Sequence, residues 1–212
     1  LFAKNQLGQL SKISRDLQRV GMSMRMVPVR GVFQKMSRMV RDLSKKAGKN
    51  VELITNGEAA EMDRSMVEQI GDPLVHMIRN SVDHGVESPE ERLACGKSEK
   101  GTVTLSAYHE GGSIVIEIED DGRGLDRELT LAEARAKGML RPNETPCDSD
   151  IYNLIFAPGF STAKQVTEIS GRGVGMDVVR RNIEAMHGRI AIQTEKGKGT
   201  TFKLILPLTL AI

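Results

Sequence analysis

Four short segments hold side chains that could do chemistry, either among glycines or within one turn of a helix. The first is His76-Met77-Ile78-Arg79-Asn80-Ser81-Val82-Asp83-His84-Gly85. His76 and Asn80 are four residues apart, so on a helix both face one site. The neutral amide oxygen of Asn80 suits a hard cation such as magnesium, which keeps several waters and draws its other ligands from phosphates. The imidazole of His76 can serve as a base near neutral pH, or hold a water on that metal. Arg79 and His84 lie near the same helix end, beside Asp83, and can neutralise phosphate charge. The second segment is Asp120-Asp121-Gly122-Arg123-Gly124-Leu125. Asp120 follows a strand and can accept a hydrogen bond from an exocyclic amine such as that of adenine. Gly122 and Gly124 allow the backbone close to the base. The third segment is Phe156-Ala157-Pro158-Gly159-Phe160-Ser161-Thr162, and the fourth is Gly171-Arg172-Gly173-Val174-Gly175-Met176-Asp177. In the fourth, the glycines free backbone amides to face phosphate oxygens, and the helix that follows adds its dipole. Taken singly, each segment also has a bland explanation: a polar turn, a solvated helix face, a loop before a helix, a structural histidine.

The elements that must position these residues can be read from periodicity. Leu7, Leu10, Ile13, Leu17 and Val20 recur at helical spacing, which predicts a helix over 1–24 whose apolar stripe needs another helix to cover it. Met22, Met24, Met26 and Pro28 mark its end. A second helix is predicted near 29–47 with Gly48 as its stop, then a strand over 51–55. A helix over 63–86 follows, with Pro73 predicting a kink or restart. Alternation over 102–108 and 113–119 around Gly111-Gly112 predicts a hairpin. Residues 126–172 read as a long irregular connection, of the kind that usually carries function. A helix over 174–187 closes at Gly188, and strands over 189–194 and 200–206 end the chain. Helices and strands come in blocks, which predicts an α+β fold, a two-layer α/β sandwich preceded by a helical segment, rather than a doubly wound sheet.

Composition narrows the function classes. Of the first fifty residues twelve are Lys or Arg, against Asp16 and Asp42, a local net of +10, so the +2 total leaves −8 for the rest. The cations alternate with periodic apolar residues and only Phe33 is aromatic after Phe2, a pattern of a solvated helix face or protein interface rather than a nucleic-acid groove. No apolar run approaches the roughly 20 residues of a membrane span. Cys95 and Cys147 fit neither a disulfide framework nor a zinc site, which favours a reducing, cytoplasmic setting. Leu1 is not a natural start, so the chain reads as an excised fragment.

In their order, the four segments resemble the N box, first glycine box, F box and second glycine box of the ATPase superfamily of gyrase, Hsp90, histidine kinases and MutL. HxxRNSxDHG, DDGRGLD, FAPGFSTA and SGRGVGMDVV are similar to the versions found in chemotaxis histidine kinases of the CheA family. MSMRMVPV resembles that family's junction between dimerisation helices and kinase domain, and LPLTLAI its exit toward a regulatory domain. The resemblance implies residues 1–26 as the second helix of a dimerisation hairpin and 27–212 as the ATP-binding catalytic domain. It implies ATP and Mg²⁺ as cofactors, with His76 and Asn80 at the metal and the chemistry. Arg79, Asp83, His84, Asp120, Gly122, Gly124, Phe156, Phe160, Ser161, Thr162, Gly171, Arg172, Gly173, Val174, Gly175 and Met176 would line the nucleotide. Thr201 resembles the strand residue that hydrogen-bonds near adenine. The implied activity is transfer of the γ-phosphate to a histidine on a separate phosphotransfer domain, in trans across a homodimer held by the N-terminal helices. Coupling-protein and chemoreceptor contacts would run through domains outside this chain. An ATPase that drives conformational change, or a non-catalytic dimerisation scaffold, would be the alternatives.

Overall fold

The computed structural model describes residues 9–14, 16, 20–21, 24–141, 144, 146–160 and 175–208. The elements, in order, are β1 (Met26–Pro28), α1 (Arg30–Ala47), β2 (Val51–Asn56), β3 (Glu61–Asp63), α2 (Arg64–Asn80), a π-turn (Ser81–Gly85), α3 (Pro89–Ala94), β4 (Gly101–Glu110), β5 (Ser113–Asp120), α4 (Arg127–Ala136), α5 (Asp148–Asn153), a 3₁₀ turn (Leu154–Phe156), α6 (Met176–Ala185), β6 (Arg189–Glu195) and β7 (Gly199–Pro207). Five strands form one sheet in the order β2-β4-β5-β7-β6. β2 joins β4 in parallel and the other pairings are antiparallel. The sheet is therefore mixed, where the blocks of strands suggested an antiparallel one.

Alternation within the strands builds the two layers. Val103, Leu105 and Ala107 of β4, Ile114, Ile116 and Ile118 of β5, and Phe202, Leu204 and Leu206 of β7 are all buried. They form one apolar face, because side chains two apart share a face. Against it lie Phe33, Met36 and Val40 of α1, Met66, Ile70, Leu74 and Met77 of α2, and Val179 and Ile183 of α6. Gly48 ends α1 in the left-handed region at φ 63°, as the sequence anticipates. The hairpin turn holds Gly111 and Gly112 at φ 57° and 79°, a conformation only glycine adopts cheaply.

Four expectations need correction. First, α2 runs through Pro73 without restarting, since Ile70, Leu74 and Met77 bury both halves in one core. Second, it ends at Asn80 and not near Val86, and a π-turn over Ser81–Gly85 takes its place. Third, the stretch after Asp126 is not simply irregular. Asp126 caps α4 by accepting from the Glu128 and Leu129 amides, and α5 and the 3₁₀ turn follow. Only Thr130, Leu131 and Ala134 of α4 are buried, too short a stripe to show as periodicity. Fourth, Met26–Pro28 is not only a helix break: it pairs with Glu61–Asp63 as a small second sheet. Of the predicted N-terminal helix, residues 9–14 are helical, with Leu10 and Ile13 exposed. The rest of that prediction lies partly outside the described residues.

Candidate nucleotide-binding site

The site forms where the buried face of the sheet stops being apolar. Continuing the series Ile114, Ile116, Ile118 by two brings Asp120 onto the same face, 4% exposed at the end of β5. The strand register puts Thr200 of β7 directly beside it, and Thr194 of β6 beside Thr200. Three polar side chains therefore finish a row of hydrophobic ones. The Thr194 and Thr200 hydroxyls are 3.0 Å apart. Thr201, the residue expected near adenine, pairs with Glu119 and so faces the other side of the sheet. Thr200, two residues before buried Phe202, is the threonine on the Asp120 face.

The Asp120 carboxylate accepts from the Ser81 hydroxyl at 2.9 Å and from the Gly122 amide at 3.1 Å. Burial pushes its pKa up to about 6, against the lowering effect of these bonds and of the Thr200 backbone. The surrounding glycines are required by space. A Cβ on Gly122 would lie 2.2 Å from the Gly85 carbonyl oxygen, and one on Gly85 about 3.1 Å from the Asp120 carboxylate. Gly124 has φ +66°, with the Glu195 carbonyl oxygen 2.3 Å from where its Cβ would be. The loop is stitched down by the Arg123 amide to Gly85, 2.9 Å, and the Leu125 amide to Thr194, 2.9 Å.

The other side of the site is built by α2 and α6, which pack against each other. The Asn80 amide nitrogen lies 3.0 Å from the sulfur of Met176, the first residue of α6. The middle of the first segment thus meets the end of the fourth. Gly175 starts α6 with no side-chain cap, which leaves its first-turn amides to be satisfied in another way. His76 is half-buried one turn before Asn80. Burial, then the charge of Arg79, hold its pKa below the ordinary histidine value, while Asp177 works in the opposite direction. Asp83 and His84 are exposed on the π-turn and Arg79 is half-buried in the last turn of α2. Phe156 is buried edge-on against Phe202, 6.2 Å between centroids, and Phe160 is buried with Lys137 5.0 Å from its ring. Ser161, Thr162, Gly171, Arg172, Gly173 and Val174 lie outside the described residues.

Two polar supports escape a motif-based search. Lys49 donates to the carbonyls of Val82, Asp83 and Val86 at 2.7–2.8 Å and so ties down the π-turn that carries Ser81 and Gly85. Arg92, on α3, is 2% exposed and pairs with Glu87 and Asp121. The sequence signs of α3 are Ser88 three residues before Glu91, which form a capping box, and Pro89 at the helix start.

The pocket suits an adenine nucleotide: a buried carboxylate acceptor, glycines that leave room against it, and a helix N-terminus at the far side. Among the described residues no group of three or more His, Cys, Asp and Glu could hold a metal by itself. An ion carried in by phosphates and touched by one amide oxygen fits such a donor set.

Comparison with known proteins agrees with this geometry. Residues 69–210 match the family described as histidine kinase-, DNA gyrase B-, and HSP90-like ATPase, and the chain belongs to that family. The chain is 55% identical over 206 residues to the chemotaxis protein CheA of Salmonella typhimurium, covering 97% of this chain and 31% of that protein. It is 50% identical to CheA of Bacillus subtilis, covering 96% and 31%. It thus spans about a third of the length of these relatives. Among solved structures, the catalytic domain of histidine kinase ThkA superposes with a TM-score of 0.55 at 14% identity, covering 87% of this chain and 95% of that one. That likeness concerns the fold. No helix among the described residues is long and apolar enough to cross a membrane.

Proposed function

We propose that this chain is the catalytic core of a chemotaxis histidine kinase, moving the γ-phosphate of Mg-ATP to a histidine on a separate phosphotransfer domain. The observation that carries this is Asp120, a buried carboxylate that ends an apolar sheet face, backed by glycines with no room for a side chain. The match to CheA proteins over 96–97% of this chain supports the kinase reading over other ATPases of the family.

Asp120 accepts from the adenine amine, with Thr200 beside it. The amides at the start of α6, with Gly171, Gly173 and Gly175, hold the phosphates. Asn80 contributes an oxygen to magnesium, which supplies charge neutralisation at the phosphates when bound. Arg79 and His84 add positive charge. His76 takes up the proton of the attacking imidazole, or instead holds a water on the metal. Catalysis comes chiefly from positioning and charge neutralisation. Residues 126–172 close over the nucleotide, with Phe156 and Phe160 as anchors. Residues 1–26 hold the second helix of a dimerisation hairpin, so that transfer runs in trans within a homodimer. Coupling protein and receptors meet other domains, and the setting is cytoplasmic.

Asn80→Asp tests the metal assignment. A new negative charge facing the triphosphate should weaken magnesium-dependent ATP binding by about tenfold or more, seen by calorimetry with and without the metal. Equal affinities for the variant and the native chain would remove Asn80 from the metal.

A further inference from the structure

Beside Asp120, and for the most part outside the four motifs, lies a cluster of charges: Glu87, Arg92 and Lys97, which meet Asp121 of the second motif. Arg92 donates to Glu87 at 3.1 Å, to both carboxylate oxygens of Asp121 at 3.1 and 2.9 Å, and to the carbonyls of Ser98 and Lys100 at 2.6 and 3.3 Å. Lys97 donates to Glu87 at 2.7 Å, to the Asp121 carbonyl at 2.9 Å and to the Gly122 carbonyl at 2.7 Å. Asp121 in turn accepts from the Thr102 amide at 2.9 Å. Glu87 is 6% exposed and Arg92 2%. Burying ions is a poor route to stability, because desolvation offsets most of the attraction between them. Every bond of Lys97 other than that to Glu87 ends on the backbone of Asp121 and Gly122, the residues that follow the adenine-binding carboxylate.

We infer that Arg92 and Lys97 are positioning residues that set ATP affinity, by locking the Asp121-Gly122 backbone so that the Gly122 amide is held on Asp120. This rests on the reading of the pocket as an adenine site. The linkage is short: Lys97 Nζ holds the Gly122 carbonyl, and the Gly122 amide holds Asp120 Oδ1 at 3.1 Å. The two cations also offset Asp121, whose negative charge disfavours an ionised Asp120. The charged group bearing directly on Asp120 is Asp121 on its own loop, and Arg92 and Lys97 reach Asp120 only through Asp121 and Gly122. The elements on its other sides present Ser81 and Thr200, which are uncharged, while Asp83 and His84 on the π-turn are exposed.

The test uses the 212-residue chain and ATP as probe. Lys97→Met should weaken ATP binding about 10- to 100-fold, the loss expected for bonds made by a charged donor. It should also move the acid limb of ATP binding to higher pH than in the native chain. Lys97→Arg should restore most of the affinity. Arg92→Lys should weaken binding in the same direction, and if it fails to fold the Lys97 pair decides alone. A folded Lys97→Met that binds ATP within twofold of the native chain overturns the inference. So does a weakened one that keeps the native acid limb and is not rescued by arginine, which is a structural role only. Absence of ATP binding by the native chain would instead count against the adenine site itself.

Discussion

At the residue scale the account turns on Asp120 and His76, each given its character by burial. Asp120 accepts from adenine most strongly as a carboxylate, whose oxygens are acceptors only, and burial brings its pKa to about 6. The sign follows from that value. Its folded pKa lies above the unfolded one, so ionising it costs stability as pH rises from about 4 to 6, and that cost is fully present above 6. ATP affinity should therefore fall as pH drops through about 6, while the nucleotide-free chain gains stability over the same range. A calorimetric pH series with parallel melting curves checks both halves. Asp120→Asn should abolish measurable ATP binding, since an amide can present a donor to the adenine amine, and mispairing a buried polar group costs about 1–3 kcal/mol. The fold should survive, because the charge removed was itself unfavourable there. Unchanged affinity in Asp120→Asn would show that adenine is held elsewhere. For His76, burial and then the charge of Arg79 lower the pKa, which favours the neutral ring that a base must start from. His76→Gln should leave ATP affinity near native and slow phosphoryl transfer by about 10²–10⁴-fold. Lost affinity with normal transfer at saturating ATP would make it a binding residue.

At the element scale, the sheet alternation and the glycines were legible, and the polar turns were not. The Ile114–Ile118 series and the Gly111-Gly112 turn follow directly from residue types. The same period of two puts Thr200 on the Asp120 face and Thr201 on the other, a distinction that motif resemblance does not draw. The π-turn was hidden because a helix and a π-turn have the same composition, and what distinguishes them is Lys49 capping three carbonyls from 33 or more residues away in sequence. Arg92 and Lys97 were hidden for the same reason: a charged residue reads as surface unless its distant partners are known. The segment between α4 and α6 has its own prediction. Phe156 is already packed on Phe202, but the residues around it carry few buried side chains. Amide exchange over Asp148–Phe160 should slow when a non-hydrolysable ATP analogue and magnesium are added. Equal exchange in both states would argue against closure over the nucleotide.

At the scale of the whole molecule, the charge is divided: +10 over the first fifty residues and −8 over the remainder. The basic residues are spaced along α1 and the segment before it, where Leu10, Ile13 and Val20 are exposed. The acidic remainder contains the pocket. A basic N-terminal stretch and a nucleotide site within the acidic remainder suit a catalytic unit that acts on something brought to it. The acceptor is therefore the point on which the account depends. The decisive measurement adds ATP labelled at the γ-phosphate, with magnesium, to this chain and a histidine phosphotransfer domain. Label should appear on the domain as an acid-labile, base-stable phosphohistidine, and should disappear with Asp120→Asn. Label recovered only as free phosphate, with none on the domain, would contradict the kinase account and leave an ATPase that uses the same pocket.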